Sequence, residues 1–254
     1  MKKSMYFNYT KGVSLEEKAL SIARAGFDAA ELFRHQDNCE PLKDSFAAVK
    51  KAGLEVEAYH ADFKTTNDIW SKGTEGDETL DFLKQTVKEA GDLGISIAVV
   101  HVSRGCMPPA YNERGLERFY SLCKSAKEAG VKIAFENLRK TAYLDYVLSA
   151  IPEAGFCFDC GHEKLYNKGY GVLEKYADRL LCMHLHDNNG LMDNHYPPFM
   201  GKIDWQKLAQ RLAKAQFKCN LCFEVHSATD PLSFPMQVME SAAKLEQMIL
   251  SAKL

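Results

Sequence analysis

Short runs of β-branched, aromatic and small residues alternate along this chain with longer stretches whose apolar positions recur every three or four residues. The short runs predict strands over 4–8, 28–33, 55–60, 96–102, 131–137, 155–159, 180–186 and 219–225. The longer stretches predict helices over 14–25, 42–52, 76–92, 113–129, 141–150, 168–178, 204–216 and 233–252. Local chemistry marks several ends: Ser14-Leu15-Glu16-Glu17 has the form of a capping box, and Gly26, Gly53 and Gly130 stand where last turns finish. Eight βα units in 254 residues favour an α/β chain closed into a (β/α)8 TIM barrel, a single domain over residues 1–254. An open doubly wound sheet would place a glycine-rich phosphate loop after its first strand. Tyr9-Thr10-Lys11-Gly12 stands there instead.

Side chains alternate along a strand, so each strand sorts its residues onto two faces. In strands five to eight, Glu136 shares a face with Ala134, Asp159 with Cys157, His184 and His186 with Cys182, and Glu224 with Cys222 and Asn220. Ile133, Phe135, Phe156, Phe158, Met183, Leu185, Leu221, Phe223 and Val225 fall on the opposite faces. In strands three and four, His60 goes with Ala58 and His101 with Val99. The apolar faces suit packing against helices. The other faces carry a small residue low in the strand and a titratable one at the carboxyl-terminal end, where barrels of this class hold their active sites.

All eight histidines, His35, His60, His101, His162, His184, His186, His195 and His226, fall at or after predicted strand ends and outside predicted helices. The one long connection, Asp187 to Lys202, carries Asp193 and His195 and is expected to be an ordered functional loop. His226 shares the face of Glu224, while His35 has no assigned role. So many imidazoles and carboxylates at one end of a barrel would be costly to bury without a compensating cation. Their mixture of nitrogen and oxygen donors suits Zn²⁺, Mn²⁺, Fe²⁺ or Co²⁺, and their number allows one to three ions.

Composition adds limits. The chain is 46% hydrophobic and 26% charged, as ordinary globular proteins are. A net charge of −2 gives no broad cationic surface, so nucleic acid is not the expected partner. No apolar run reaches membrane-spanning length and the amino terminus lacks a signal-peptide pattern, so a cytoplasmic protein is expected. Assembly into a homo-oligomer is left open. Cys157-Phe158-Asp159-Cys160 and Cys219-Asn220-Leu221-Cys222 match a C-x-x-C spacing. Both fall in predicted strands, where residues three apart face opposite ways, so they are expected to be small core residues.

The motifs Phe135-Glu136-Asn137, Phe158-Asp159-Cys160-Gly161-His162, His184-Leu185-His186-Asp187-Asn188, Asp193-Asn194-His195, Gly201-Lys202-Ile203-Asp204-Trp205 and Phe223-Glu224 resemble the xylose-isomerase-like TIM-barrel superfamily. That group includes ketose 3-epimerases, hydroxypyruvate isomerase and endonuclease IV. The resemblance implies an epimerase-type divalent metal on Glu136, Asp159, His184 and Glu224. His184 is preferred to His186 because the family's metal histidine lies three residues before an acid, here Asp187. In endonuclease IV the same four belong to a trinuclear zinc site, whose other ligands match His60, His101, His162, Asp193 and His195. The chain departs from that pattern at Asn194, Tyr196 and Phe199, the last standing where the family has a glycine.

The resemblance implies two reactions. In the first, a Zn, Mn or Co ion polarises a sugar, sugar phosphate or sugar-like polyol, stabilising an enediolate while Glu136 and Glu224 move the proton as catalytic acid and base. His162 and His186 would orient hydroxyls, Arg104 would meet a phosphate, and Phe7, Tyr9 and Trp70 would line the pocket. In the second, closely spaced ions activate water for phosphodiester cleavage at abasic DNA.

Overall fold

A computed structural model describes residues 1–34, 41–169, 171–227 and 230–253. His35 lies outside them. The strands β1 (Lys3–Tyr6), β2 (Ala29–Phe33), β3 (Glu55–His60), β4 (Ile97–Val100), β5 (Lys132–Glu136), β6 (Gly155–Asp159), β7 (Leu180–His184) and β8 (Leu221–Phe223) pair in parallel. They close as β1-β2-β3-β4-β5-β6-β7-β8, with β8 returning to β1. The (β/α)8 expectation therefore holds, and the open sheet is excluded.

Helices α1 (Leu15–Arg24), α2 (Leu42–Lys51), α3 (Glu75–Asp92), α4 (Glu113–Glu128) and α5 (Thr141–Ala150) follow the first five strands. The expected capping box forms: the Ser14 hydroxyl accepts the Glu17 amide, and the Glu17 carboxylate accepts the Ser14 amide. A 3-10 turn over Thr66–Trp70, which the apolar pattern did not reveal, precedes α3.

The sixth unit corrects the helix expected over 168–178. Helix α6 (Cys160–Tyr166) begins directly at the strand end, because the Asp159 carboxylate caps it by accepting the His162 amide at 2.6 Å. The positive φ values of Gly169 and Gly171 then interrupt the chain. Among the described residues, only α7 (Val172–Lys175) and a 3-10 turn (Ala177–Arg179) occupy the expected interval. His162 consequently lies in a helix, against expectation. Helices α8 (Trp205–Ala215) and α9 (Phe234–Ser251) complete the ring. Among the described residues no helix is long and apolar enough to cross a membrane.

The two faces of the strands separate as their alternation requires. Met5, Leu32, Val100, Phe135, Phe156, Met183 and Phe223 belong to one large apolar core shared with the helices. Ala58, Val99, Ala134, Cys157 and Cys182 form a second, smaller cluster, the low interior residues assigned by parity. Cys160 opens α6, and Cys219 precedes β8, so neither C-x-x-C pair lies wholly in a strand as expected. The described cysteines are free thiols, as a small-core role requires.

One sector departs from strict alternation. Between Ala30↔Val56 and Leu32↔Tyr59, β2 contributes Glu31 alone while β3 contributes Glu57 and Ala58. This bulge is associated with a polar interior, where Glu57 lies near Ser4, Glu31 and Cys222. Both Glu57 carboxylate oxygens are buried without a hydrogen-bond partner among the described residues.

Candidate metal centre and active site

Strand register brings the titratable side chains to one end. Glu136, Asp159, His60 and His184 terminate their strands, while His101 and Glu224 follow theirs by one residue. His162 comes from the first turn of α6, and Asp193 and His195 come from the loop before α8. Asp187 organises that loop. Its carboxylate accepts the amides of Asn188 (2.8 Å) and Ile203 (3.0 Å) and the Trp205 indole N–H (2.7 Å), and its backbone pairs with Tyr196. Gly201 is required by close approach: a Cβ there would come within 2.3 Å of the Asn188 carbonyl. Phe199, in the family's glycine position, has a φ of 74°, the left-handed region that glycine normally fills.

Glu136 is the hub. Its Oε2 lies 2.9 Å from His101 Nε2 and 3.3 Å from His60 Nε2, and its Oε1 lies 3.0 Å from His162 Nδ1. His184 Nδ1 faces three carboxylates, Glu224 at 3.3 Å, Glu136 at 3.6 Å and Asp159 at 3.9 Å. Asp159 Oδ2 is 3.0 Å from His186 Nε2, and Asp193 Oδ2 is 3.0 Å from His162 Nε2. His195 stacks on His186 with ring centres 4.0 Å apart, and His226 stacks on its other side at 4.7 Å.

Each outer hydrogen bond determines what an imidazole presents inward. A carbonyl can only accept, so His60 Nδ1 donates to Ala61 (2.8 Å) and His195 Nδ1 donates to the Glu224 carbonyl (2.9 Å). In the neutral rings, the Nε2 lone pairs then face Glu136 and Asp193. Lone pairs and carboxylates repel unless a proton or a cation lies between them. The buried Nδ1 atoms of His184 and His186 also lack a hydrogen-bond partner among the described residues.

The electrostatics follow the same logic. Burial opposes protonation of His162, yet Asp159, Asp193 and Glu136 hold it well above the ordinary imidazole range. Burial likewise opposes charge on His195, but Glu224 and Asp193 raise it to about 9. His101 moves down because burial outweighs Glu136. Burial would raise Glu136, but His101 and His184 hold it well below the usual carboxylate range. The carboxylates thus favour positive charge at His162 and His195, as they would favour a cation.

Four groups bring ligand atoms within 4.8 Å of one another: His60, His101 and Glu136; Asp159, His184 and Glu224; His186, Asp193 and His195; and Glu136, Asp159 and His162. All nine expected ligands therefore come together. His186, expected to orient substrate, enters a ligand group as well. Borderline divalent ions fit this donor set.

His60, His101, Glu136, His162, Asp193, His195 and Glu224 line a cavity of about 1170 Å³, while Asp159, His184 and His186 are buried outside its lining. Tyr6, Phe33 and Phe63 line its walls, and Lys11, Arg104 and Arg139 reach its lining. Arg104 lies 5.9 Å over Phe63, with its backbone held on both sides by Asn67. Arg139 lies 4.1 Å over Tyr166.

The expected aromatic wall is corrected. Trp70 is buried against Phe119 and Tyr143, and its indole donates to the Val102 carbonyl at 2.8 Å. Phe7 points into the helix-facing core, and Tyr9 bonds Ser21 there. None of the three lines the cavity. Parity accounts for Phe7, which shares its strand face with Met5 rather than Tyr6.

Two residues escaped the sequence reading. Asn137 bonds the Asp159 backbone from both sides, accepting its amide at 2.7 Å and donating to its carbonyl at 2.8 Å. Glu31 is fully buried and meets His184 Nε2 at 3.1 and 3.2 Å. Its signal was present, a lone acid on the face of Ala29 in an otherwise apolar strand.

A family model described as a xylose isomerase-like TIM barrel matches residues 20–248. The uncharacterized protein y4fM of Sinorhizobium fredii (strain NBRC 101917 / NGR234) is 29% identical over 193 residues, 68% of this chain and 62% of that protein. The chain thus matches less than two thirds of that relative's length. Among solved structures, the 3-keto-D-glucoside 4-epimerase YcjR from E. coli aligns with a TM-score of 0.76 at 19% identity, covering 97% of this chain and 99% of the other. An L-ribulose 3-epimerase aligns with a TM-score of 0.81 at 17% identity, covering 99% and 95%.

Proposed function

The chain belongs to the xylose isomerase-like TIM-barrel family, and on that premise we propose that it is a divalent-metal-dependent isomerase or epimerase of a sugar, sugar phosphate or sugar-like polyol. The observation that carries this reading is the buried His184 Nδ1 atom, unpartnered among the described residues and ringed by Glu224, Glu136 and Asp159, of which Glu224 and Glu136 line the cavity. The similar fold of two sugar epimerases supports the substrate class.

Glu136, Asp159, His184 and Glu224 would hold the ion. A divalent ion held there would supply Lewis acidity toward adjacent carbonyl and hydroxyl oxygens of the substrate. The two glutamates approach from different walls, β5 and the end of β8. Glu224 is the more open, with its side chain 12% exposed against 1% for Glu136. Glu224 therefore removes the carbon-bound proton, and Glu136 serves the opposite face of that carbon. His162, His195 and His226 are placed to orient hydroxyls, while Tyr6, Phe33 and Phe63 meet the apolar faces of the sugar. Arg104 and Arg139 offer charge to a phosphate.

Protein reconstituted with Mn²⁺, Co²⁺ or Zn²⁺ is expected to exchange a carbon-bound hydrogen of at least one ketose, ketose phosphate or inositol in deuterium oxide. Glu224→Gln should slow that exchange by about 10²–10⁴-fold. No exchange across such a panel would overturn the reading.

A second reading, a phosphodiesterase of the endonuclease IV type, is favoured by one observation. Three of the candidate ligand groups share no residue, as separate sites for three ions would require. Three bound zinc ions together with cleavage of an abasic duplex, lost in His101→Ala, would shift the assignment to it.

A further inference from the structure

Glu31 stands outside every ligand group, yet it is as deeply buried as the ligands themselves. A buried carboxylate costs several kcal/mol unless it is paired. It meets His184 Nε2, which both carboxylate oxygens approach, at 3.1 and 3.2 Å. The other nitrogen of that ring, Nδ1, has no hydrogen-bond partner among the described residues and faces Glu224, Glu136 and Asp159. The two nitrogens of one imidazole therefore have different tasks.

We infer that Glu31 is a positioning residue that holds His184 with its proton on Nε2, leaving the Nδ1 lone pair aimed at the metal centre. A neutral imidazole carries one proton, and in water it samples both nitrogens. With the proton on Nδ1, it would point at the place a cation must occupy. A carboxylate can only accept, so Glu31 selects the Nε2–H tautomer and rejects the other. Its negative charge also raises the electron density at Nδ1, strengthening it as a donor to a cation. The fold supplies the geometry. The β2–β3 bulge begins opposite Glu31, and Asp159↔His184 pairing sets the depth of the histidine. Loss of such outer partners of metal-bound histidines weakens metal binding about 10–100-fold.

This inference rests on the metal reading above, and the test separates the two. Zn²⁺ and Co²⁺ affinities are measured by chelator competition on the full chain, for wild type, Glu31→Gln, Glu31→Ala and Glu57→Gln. Glu31→Gln is expected to weaken binding about 10-fold, because an amide oxygen still accepts but carries no charge, and Glu31→Ala toward 100-fold. Glu57→Gln, which changes another acid in the same interior, should leave affinity within about twofold, as a general softening of the barrel would not. The visible ligand-field bands of bound Co²⁺ should shift in the Glu31 variants and stay in place in Glu57→Gln.

Should the Glu31 variants fail to fold, wild-type protein decides. With ¹⁵N-histidine and ¹¹³Cd²⁺, the nitrogen–cadmium coupling for His184 is expected at Nδ1, with the proton retained on Nε2. Coupling at Nε2, or folded Glu31→Gln binding metal as wild type does, would overturn the role of Glu31 and leave the metal reading standing. Wild type that takes up neither Zn²⁺ nor Co²⁺ would overturn both.

Discussion

The same strand faces do opposite things two residues apart. Low in the barrel, Ala58, Val99, Ala134, Cys157 and Cys182 form a small apolar cluster. One step further, at His60, His101, Glu136, Asp159 and His184, every position is titratable and four of the five are fully or almost fully buried. The lower layer is filled by bulk too small to crowd what lies above it. The upper layer gathers donors and acceptors whose inward atoms meet chiefly one another. A floor of small apolar residues under a ring of charge makes the ring rigid and poorly hydrated, where electrostatic interactions are strong. The sector formed by β1, β2 and β3 breaks this rule, since Ser4, Glu31 and Glu57 carry polarity below the ring.

That exception gives the largest expected effect. Burial raises the Glu57 carboxyl from 4.5 to about 7, against the opposing influence of Ser4 and Cys222. The unfolded chain ionises first, while the folded protein keeps the proton. This group therefore favours folding fully below pH 4.5 and loses that contribution as pH rises to about 7. Glu57→Gln should remove this dependence and gain about 3 kcal/mol over wild type at pH 8 relative to pH 4.5. Urea unfolding of both proteins across that range measures it. Equal slopes with pH would show that the polar sector is as well solvated as the surface.

A second substitution attacks the floor. Ala134→Leu adds bulk directly beneath Glu136 and should destabilise the fold by about 1–3 kcal/mol. Thermal unfolding reads the loss, and metal titration should show weaker binding as the hub is displaced. A variant of unchanged affinity would mean that the ring does not depend on the size of its floor. The smallest effect is expected at Cys182→Ala, which removes one buried sulfur and should cost about 1 kcal/mol with no change in metal content. Loss of metal there would give Cys182 a role beyond filling the small apolar cluster.

Much of the site was legible because alternation is local. Knowing only that β5 ends at Glu136 and that Ala134 shares its face is enough to place the glutamate inside a closed barrel. The nine candidate ligand positions needed more than such local facts: strand alternation placed several of them, and the family resemblance implied the set. Helix α6 did not follow, because its start depends on one side chain, Asp159, turning back to cap the next turn. Trp70 was misplaced because a buried indole and a pocket wall have the same composition, and only packing against Phe119 and Tyr143 separates them.

The sequence by itself determined the order of eight strands, the apolar and polar face of each, and the collection of acids and imidazoles at one rim. Those properties come from backbone periodicity, which each segment carries alone. Tertiary structure decided which nitrogen of each histidine faces inward, that Glu31 stands behind His184, and that His186 joins Asp193 and His195. Each of these depends on atoms brought together across the barrel from segments as far apart as residues 31 and 184. No local pattern encodes such a distance; only closure of the sheet produces it.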